Sequence, residues 1–312
     1  MNGLDAAFRV DVATKEPVVN EWWGRGFGLV LLTLLGVAPG CATAPTTVPV
    51  LRGPTALVIA HRGGSLEAPE NTLASMRHGL RAGADWLELD VHLTADGEVV
   101  VIHDDNVDRT TDGTGRVEDL TWSELERLNA GRPRWDGGAA ARLGAEGTAP
   151  RDFGARFASA RIPKLAEVLD LAGARVMLEL KHTKKGEALV RGVLEVIAKS
   201  HAEDRVGIAS FDVELLDIAH RLAPKLPLIG LVGGADQLPV MAQRPLAVLA
   251  VNQALVAAAR DHLGSGVALW TWTIYSADRA KALDLDGVDG LITDAPAKVL
   301  EALRGIRPLP ES

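Results

Sequence analysis

Residues 86–103 read WLELDVHLTADGEVVVIH, and this stretch decides the fold. Trp86–Leu93 and Val99–His103 both have the apolar character of strands. Between them Thr94–Glu98 carries Asp96-Gly97, a strong hairpin signal. Outward from this pair the pattern changes. Short apolar runs occur at Leu57–His61, Arg175–Lys181, Arg205–Ser210, Leu226–Leu231, Leu246–Val251, Val267–Thr273 and Val288–Thr293. Helical periodicity separates most of them, at Glu70–Ala82, Pro163–Leu171, Glu187–Lys199, Val213–Leu222, Gln253–His262 and Ala277–Leu283, with Ala297–Leu303 closing the chain. Once the extra hairpin strand is set aside, eight strands with helical crossovers remain. Such alternation predicts a parallel sheet, and eight units predict an α/β (β/α)8 TIM barrel with a small hairpin insertion after the second strand. An open doubly wound sheet is the alternative, but the GxGxxG and GxxxxGK[ST] phosphate fingerprints are both missing. Residues 131–161, rich in Gly, Ala and Arg, read as a long loop over one barrel face.

The 312 residues are 47% hydrophobic, which excludes intrinsic disorder. With 33 Lys and Arg against 41 Asp and Glu, the chain is acidic and has no long basic run. Nucleic acid is therefore excluded as an expected partner, and small molecules are favoured. A single cysteine rules out a disulfide within the chain. That residue, Cys41, follows the apolar run Phe27–Gly40, which is too short to span a bilayer comfortably and fits a secretory signal. Ala38-Pro39-Gly40-Cys41 resembles a bacterial lipobox, with Cys41 as the lipidation site. The expected organisation is a lipoprotein-type signal peptide over 1–40, a Pro-rich tether over 41–54 and the barrel over 55–305. The protein is thus expected to be exported and lipid-anchored on the periplasmic or cell-surface side of a bacterial membrane. An ordinary signal peptide or an uncleaved anchor is the other reading. Before Phe27 the acids (Asp5, Asp11, Glu16, Glu21) outweigh the bases (Arg9, Lys15, Arg25), and a misplaced start codon would explain this.

In a parallel barrel, active residues sit at the C-terminal ends of strands. The first run ends in His61-Arg62, the second holds Glu88 and Asp90 on one face, the hairpin strand ends in His103-Asp104, and Glu179 and Lys181 share a face. Three carboxylates buried together repel one another and resist ionisation, a conflict that a hard divalent cation resolves. An oxygen-only donor set suits Mg²⁺ or Ca²⁺, with Glu88, Asp90 and Glu179 as the candidate metal ligands. His61 and His103 are left for proton transfer near neutral pH. With Arg62 and Lys181 as cations, the set points to an anionic substrate such as a phosphodiester.

These residues, in this order, resemble the glycerophosphodiester phosphodiesterases. The likeness rests on His61-Arg62-Gly63, Pro69-Glu70-Asn71-Thr72, Glu88-Leu89-Asp90-Val91, His103-Asp104, Asp108-Arg109-Thr110-Thr111, Ile162-Pro163-x-Leu165, Glu179-Leu180-Lys181, Ser210-Phe211 and Trp270-Thr271-Trp272-Thr273. It implies divalent-cation-dependent hydrolysis of glycerophosphodiesters to sn-glycerol 3-phosphate and an alcohol. By the same resemblance His61 and His103 are the acid/base pair, with His61 suggested as base. Arg62 and Lys181 contact phosphate, Glu70 orients a histidine, and Trp272 walls the glycerol or headgroup side. The sequence departs from the family's usual pattern at His182 and Tyr275, which bears on headgroup preference. Two other readings stand beside this one. They are phospholipase D-like hydrolysis of lysophospholipid or sphingomyelin, and a lipoprotein that binds glycerophosphodiesters without turnover.

Overall fold

Alternation of side chains along each strand builds the barrel. The computed structural model describes residues 50–131, 153 and 155–304. Among them the strands are β1 (Leu57–Ala60), β2 (Trp86–Leu93), β3 (Val99–Val101), β4 (Val176–Leu180), β5 (Val206–Ser210), β6 (Leu228–Val232), β7 (Val248–Asn252), β8 (Ala268–Ile274) and β9 (Gly290–Thr293). Eight of them run parallel in the order β1-β9-β8-β7-β6-β5-β4-β2, and a β1–β2 pairing closes the ring. The ninth, β3, lies antiparallel on the end of β2, with Val91 opposite Val101 and Leu93 opposite Val99. The (β/α)8 expectation holds, hairpin included.

One row of each strand faces inward. Leu57, Ile59, Trp86, Met177, Ile229, Trp270 and Ile292 fill the barrel interior. The alternate row, with Val58, Leu87, Leu89, Leu178 and Leu249, packs against the surrounding helices. Near the N-terminal ends of the strands the Trp86 and Trp270 rings meet edge to face, 5.5 Å apart. The site for that contact depends on Gly290, where an added Cβ would lie 2.5 Å from the Trp270 ring. Both indoles are buried and each finds an acceptor, as buried tryptophans must. Trp86 Nε1 donates to the Val50 carbonyl at 3.0 Å, and Trp270 Nε1 donates to the Leu51 carbonyl at 3.1 Å. The last residues of the expected tether therefore cover the barrel floor.

Most element ends shift by a residue or two from expectation; the helix expected over Gln253–His262 begins at Val256 after a 3-10 turn, and one further difference shapes the site. The helix expected over Glu70–Ala82 begins at Leu73. Thr72 and Ser75 cap it reciprocally, each backbone N–H donating to the other's hydroxyl at 3.2 Å. Glu70 and Asn71 are thereby left in the loop above β1, free to reach into the barrel mouth. Two four-residue helices, Trp122–Leu125 and Leu238–Met241, are too short to show a period in sequence. The signal peptide over 1–40, Cys41, tether residues 41–49 and residues 132–152 of the long loop lie outside the described residues. No helix among the described residues is long and apolar enough to cross a membrane.

Candidate active site

The charged side chains collect at the C-terminal mouth of the barrel. Asp90 and Glu179 are paired across β2 and β4, both pointing inward. With Glu88 they bring three carboxylate oxygens within 4.8 Å of one another, all three residues buried. Cations line this cluster. Lys181 Nζ donates to Glu179 Oε1 at 2.6 Å and lies 3.0 Å from Asp90 Oδ1, while Arg62 Nε is 3.5 Å from Asp90 Oδ2. Asn71 Nδ2 donates to Asp90 Oδ2 at 2.7 Å, and the Arg62 backbone N–H donates to Glu88 Oε2 at 2.8 Å. The latter bond needs the turn after β1, where Arg62 and Gly63 have φ of 51° and 81°. At Gly63 a Cβ would also stand 2.5 Å from Ser75, so only glycine fits.

Each expected catalytic imidazole is held by a carboxylate. His61 Nδ1 bonds Asp294 Oδ1 at 2.5 Å, and Ser65 Oγ donates to the same oxygen. His61 Nε2 faces the cluster, 4.0 Å from Glu88 Oε2. His103 Nδ1 bonds Asp104 Oδ1 at 2.6 Å. Arg109 fixes Asp104 through Nε at 2.6 Å and Nη2 at 2.9 Å. The expectation that Glu70 orients a histidine is corrected by this arrangement. Glu70 accepts two bonds from Arg109, both 2.8 Å, and one from Arg62 at 2.9 Å. Its hydrogen bonds reach His103 through Arg109 and Asp104, and the His103 charge acts on it through space. Trp272 packs against the interior residues from β8, with its ring edge to face against Phe211 at 5.5 Å.

The electrostatics follow from burial and these partners. Burial and the neighbouring Asp90 charge push Glu88 up, and the same two causes push Glu179 up. Burial would raise Asp90 too, but Lys181, His103 and Arg62 outweigh it and hold Asp90 low. Burial opposes a charged His61, yet Asp294 and Glu88 more than offset it and hold its pKa above the ordinary value. The acidic trio fits a hard cation on this structure's own terms. Its donors are all oxygen, two of the three resist ionisation without added positive charge, and buried Asp90 Oδ1 makes no aligned hydrogen bond.

A model of the glycerophosphoryl diester phosphodiesterase family matches residues 61–298. The chain belongs to that family. It is 35% identical over 260 residues to a glycerophosphodiester phosphodiesterase of Caldanaerobacter subterraneus, covering 80% of this chain and 98% of that one. Among solved structures, a putative glycerophosphoryl diester phosphodiesterase from Silicibacter pomeroyi superposes with a TM-score of 0.68 at 28% identity, covering 82% and 96% of the two chains. An Oleispira antarctica phosphodiesterase, solved in complex with the product sn-glycerol-3-phosphate, gives 0.67 at 29% identity, covering 80% and 97%. Membership makes this chain an enzyme, a phosphodiesterase.

The phosphodiesterase site contains residues that sequence reasoning passed over. Asp294 follows the apolar run of β9 just as Glu179 and Lys181 close that of β4, so the same signal marks it. Asn71 and Arg109 stood inside the quoted motifs without a role. The Arg62–Glu70–Arg109 network has a consequence for acid stability. Burial alone would raise the Glu70 carboxyl, but Arg62 and Arg109 bring it down to about 2. A carboxylate depressed in the folded state stabilises above its unfolded pKa, near 4.5 here, and loses that contribution as pH falls toward 2. Thermal unfolding between pH 5 and pH 2 should therefore show a steeper loss of Tm for the parent than for Glu70→Gln. Parallel curves would remove Glu70 from the acid response.

Proposed function

We propose that this enzyme hydrolyses glycerophosphodiesters to sn-glycerol 3-phosphate and an alcohol, with His61 and His103 as its proton-transfer pair. The observation that carries the reading is the pair of imidazoles, each fixed at Nδ1 by a carboxylate, at the same barrel mouth as the acidic trio. A carboxylate on Nδ1 sets the tautomer and aims Nε2. His61 Nε2 takes a proton from a water whose oxygen bonds to phosphorus, and His103 Nε2 gives a proton to the alkoxide as the P–O bond to the alcohol breaks, which leaves sn-glycerol 3-phosphate and the free alcohol. Arg62 and Lys181 offset the phosphodiester charge while it redistributes over the equatorial oxygens. A divalent cation held by Glu88, Asp90 and Glu179, either Mg²⁺ or Ca²⁺, would act as a Lewis acid on those oxygens.

The deciding experiment is release of glycerol 3-phosphate from a panel of glycerophosphodiesters, with and without EDTA. Turnover that EDTA abolishes and Mg²⁺ or Ca²⁺ restores is the expected result. Tight binding without turnover would instead support the non-catalytic reading, and faster hydrolysis of lysophosphatidylcholine would support the phospholipase D-like one. We further propose export and anchoring through Cys41, on the strength of the apolar run and the lipobox-like residues before it. Cys41→Ser should shift the protein from the membrane fraction to the soluble fraction. Unchanged pelleting with membranes would refute the anchor.

A further inference from the structure

One buried imidazole in the barrel mouth has no part in the proton transfers described above. Along β2 the outward row is Leu87, Leu89, Val91 and Leu93, packed against the helices, while Trp86 fills the interior. Alternation therefore places His92 on the interior row, next after Glu88 and Asp90 toward the mouth. The residue is buried. His92 Nε2 stands 3.2 Å from the main-chain carbonyl oxygen of His103. A carbonyl only accepts, so Nε2 carries the hydrogen and donates it, whichever charge the ring has.

That bond falls where the β2–β3 ladder gives out. Pairing runs from Leu93 opposite Val99 to Val91 opposite Val101, and the Ile102 N–H adds a last rung to the Asp90 carbonyl at 3.0 Å. His103 and Asp104 then lead the chain away into the insertion. Among the described residues, the His92 ring is the only hydrogen-bond partner of the main chain at these two positions. His61 is placed differently, because its carbonyl accepts from the Gly64 N–H at 2.8 Å inside its own turn. The side-chain bonds from His103 to Asp104 and on to Arg109 and Glu70 tie the imidazole to the loop above β1. The tie from His103 itself to β2, the strand that bears Glu88 and Asp90, is the His92 bond.

We infer that His92 is a positioning residue for the reaction. By holding the His103 carbonyl against β2, it sets where the His103 imidazole stands relative to the alcohol oxygen that it must protonate. The inference rests on the role of His103 in the proposed function. Proton delivery to a leaving alkoxide needs a close approach, and a misplacement of about 1 Å can cost about 10²-fold in rate. The bond is part-buried, so water can replace the donor without restoring the position.

The test uses the leaving group to separate proton delivery from general damage. Glycerophosphocholine releases an alkoxide that needs a proton, whereas the p-nitrophenyl ester of sn-glycerol 3-phosphate releases a stable phenolate that needs none. With saturating Mg²⁺ or Ca²⁺, His92→Leu should lower kcat for the choline diester about ten-fold and leave its KM within about two-fold. For the p-nitrophenyl diester, kcat should fall by less than about two-fold. His92→Gln, whose amide N–H can donate to the same carbonyl, should recover most of the loss. His92→Asn, with a shorter reach, should behave like His92→Leu and takes its place if that variant does not fold. His103→Ala is the reference and should show the same split between substrates, larger in size. Equal loss on both substrates in His103→Ala removes His103 as the acid, and the inference falls with that role. Given the split in His103→Ala, three results overturn the inference alone: equal losses on both substrates in the His92 variants, no loss in them, or a Gln variant no better than Leu or Asn.

Discussion

Alanine in place of His61 or His103 should lower kcat by about 10²–10⁴, the range for loss of a general acid or base, which is the role proposed for each. The geometry makes the effect one of chemistry rather than of folding. Each ring is partly exposed at the barrel mouth, and each has its Nδ1 committed to a carboxylate while Nε2 has no hydrogen-bond partner among the described residues. Removing His61 leaves Asp294 with the Ser65 hydroxyl, so its buried carboxylate keeps one donor. Removing His103 leaves Asp104 with two Arg109 bonds. Tm should consequently move little in either variant while turnover collapses. In the proposed mechanism the two rings act in opposite directions on protons, so the double variant should be scarcely slower than the worse single one, as for groups that work as a unit. Retention of more than about a third of parental kcat by either variant would remove that histidine from the mechanism.

Much of this site was legible in sequence because barrel geometry turns position along a strand into position in space. Glu88 and Asp90 differ by two and so share a face; Glu179 lies on the strand that pairs with theirs. Apolar runs with charged ends therefore announced the trio without any knowledge of pairing. The carboxylates behind the histidines were harder. Asp294 meets His61 across 233 residues, and no local spacing encodes that meeting. It follows from closure of β9 on β1, which places Thr293 opposite Ala60. The partners of Glu70 are hidden from sequence for a related reason. Its role depends on the helix beginning at Leu73 rather than at Glu70 itself, and on Arg109 reaching back from the insertion, 39 residues away. Periodicity locates helices, but the choice of partner among nearby charges is settled by three-dimensional packing.

The acidic trio carries the other large effect, with opposite signs for activity and stability. Glu88→Gln should raise the divalent-cation concentration needed for activity and cut kcat/KM at fixed cation by about 10² or more, since Lewis-acid stabilisation of the transition state is worth several kcal/mol. The substitution is close to isosteric, and the new amide oxygen can still accept the Arg62 backbone N–H. Without cation the same variant should be more stable than the parent. Burial and Asp90 raise the Glu88 pKa in the folded protein above its unfolded value. A carboxyl raised in this way favours the folded state while protonated, and the advantage drains away as pH climbs from the unfolded pKa through the folded one. The parent in EDTA should therefore lose Tm over that rise, and Glu88→Gln should not, so that the gap between them widens with pH and then levels off. Each kcal/mol relieved corresponds to roughly 2–4 °C for a domain of this size. Cation should reverse the order by stabilising the parent through binding and the variant far less. Equal Tm values in EDTA across the whole range would mean that the Glu88 charge carries no folding cost. An unchanged cation requirement would show that Glu88 holds no cation.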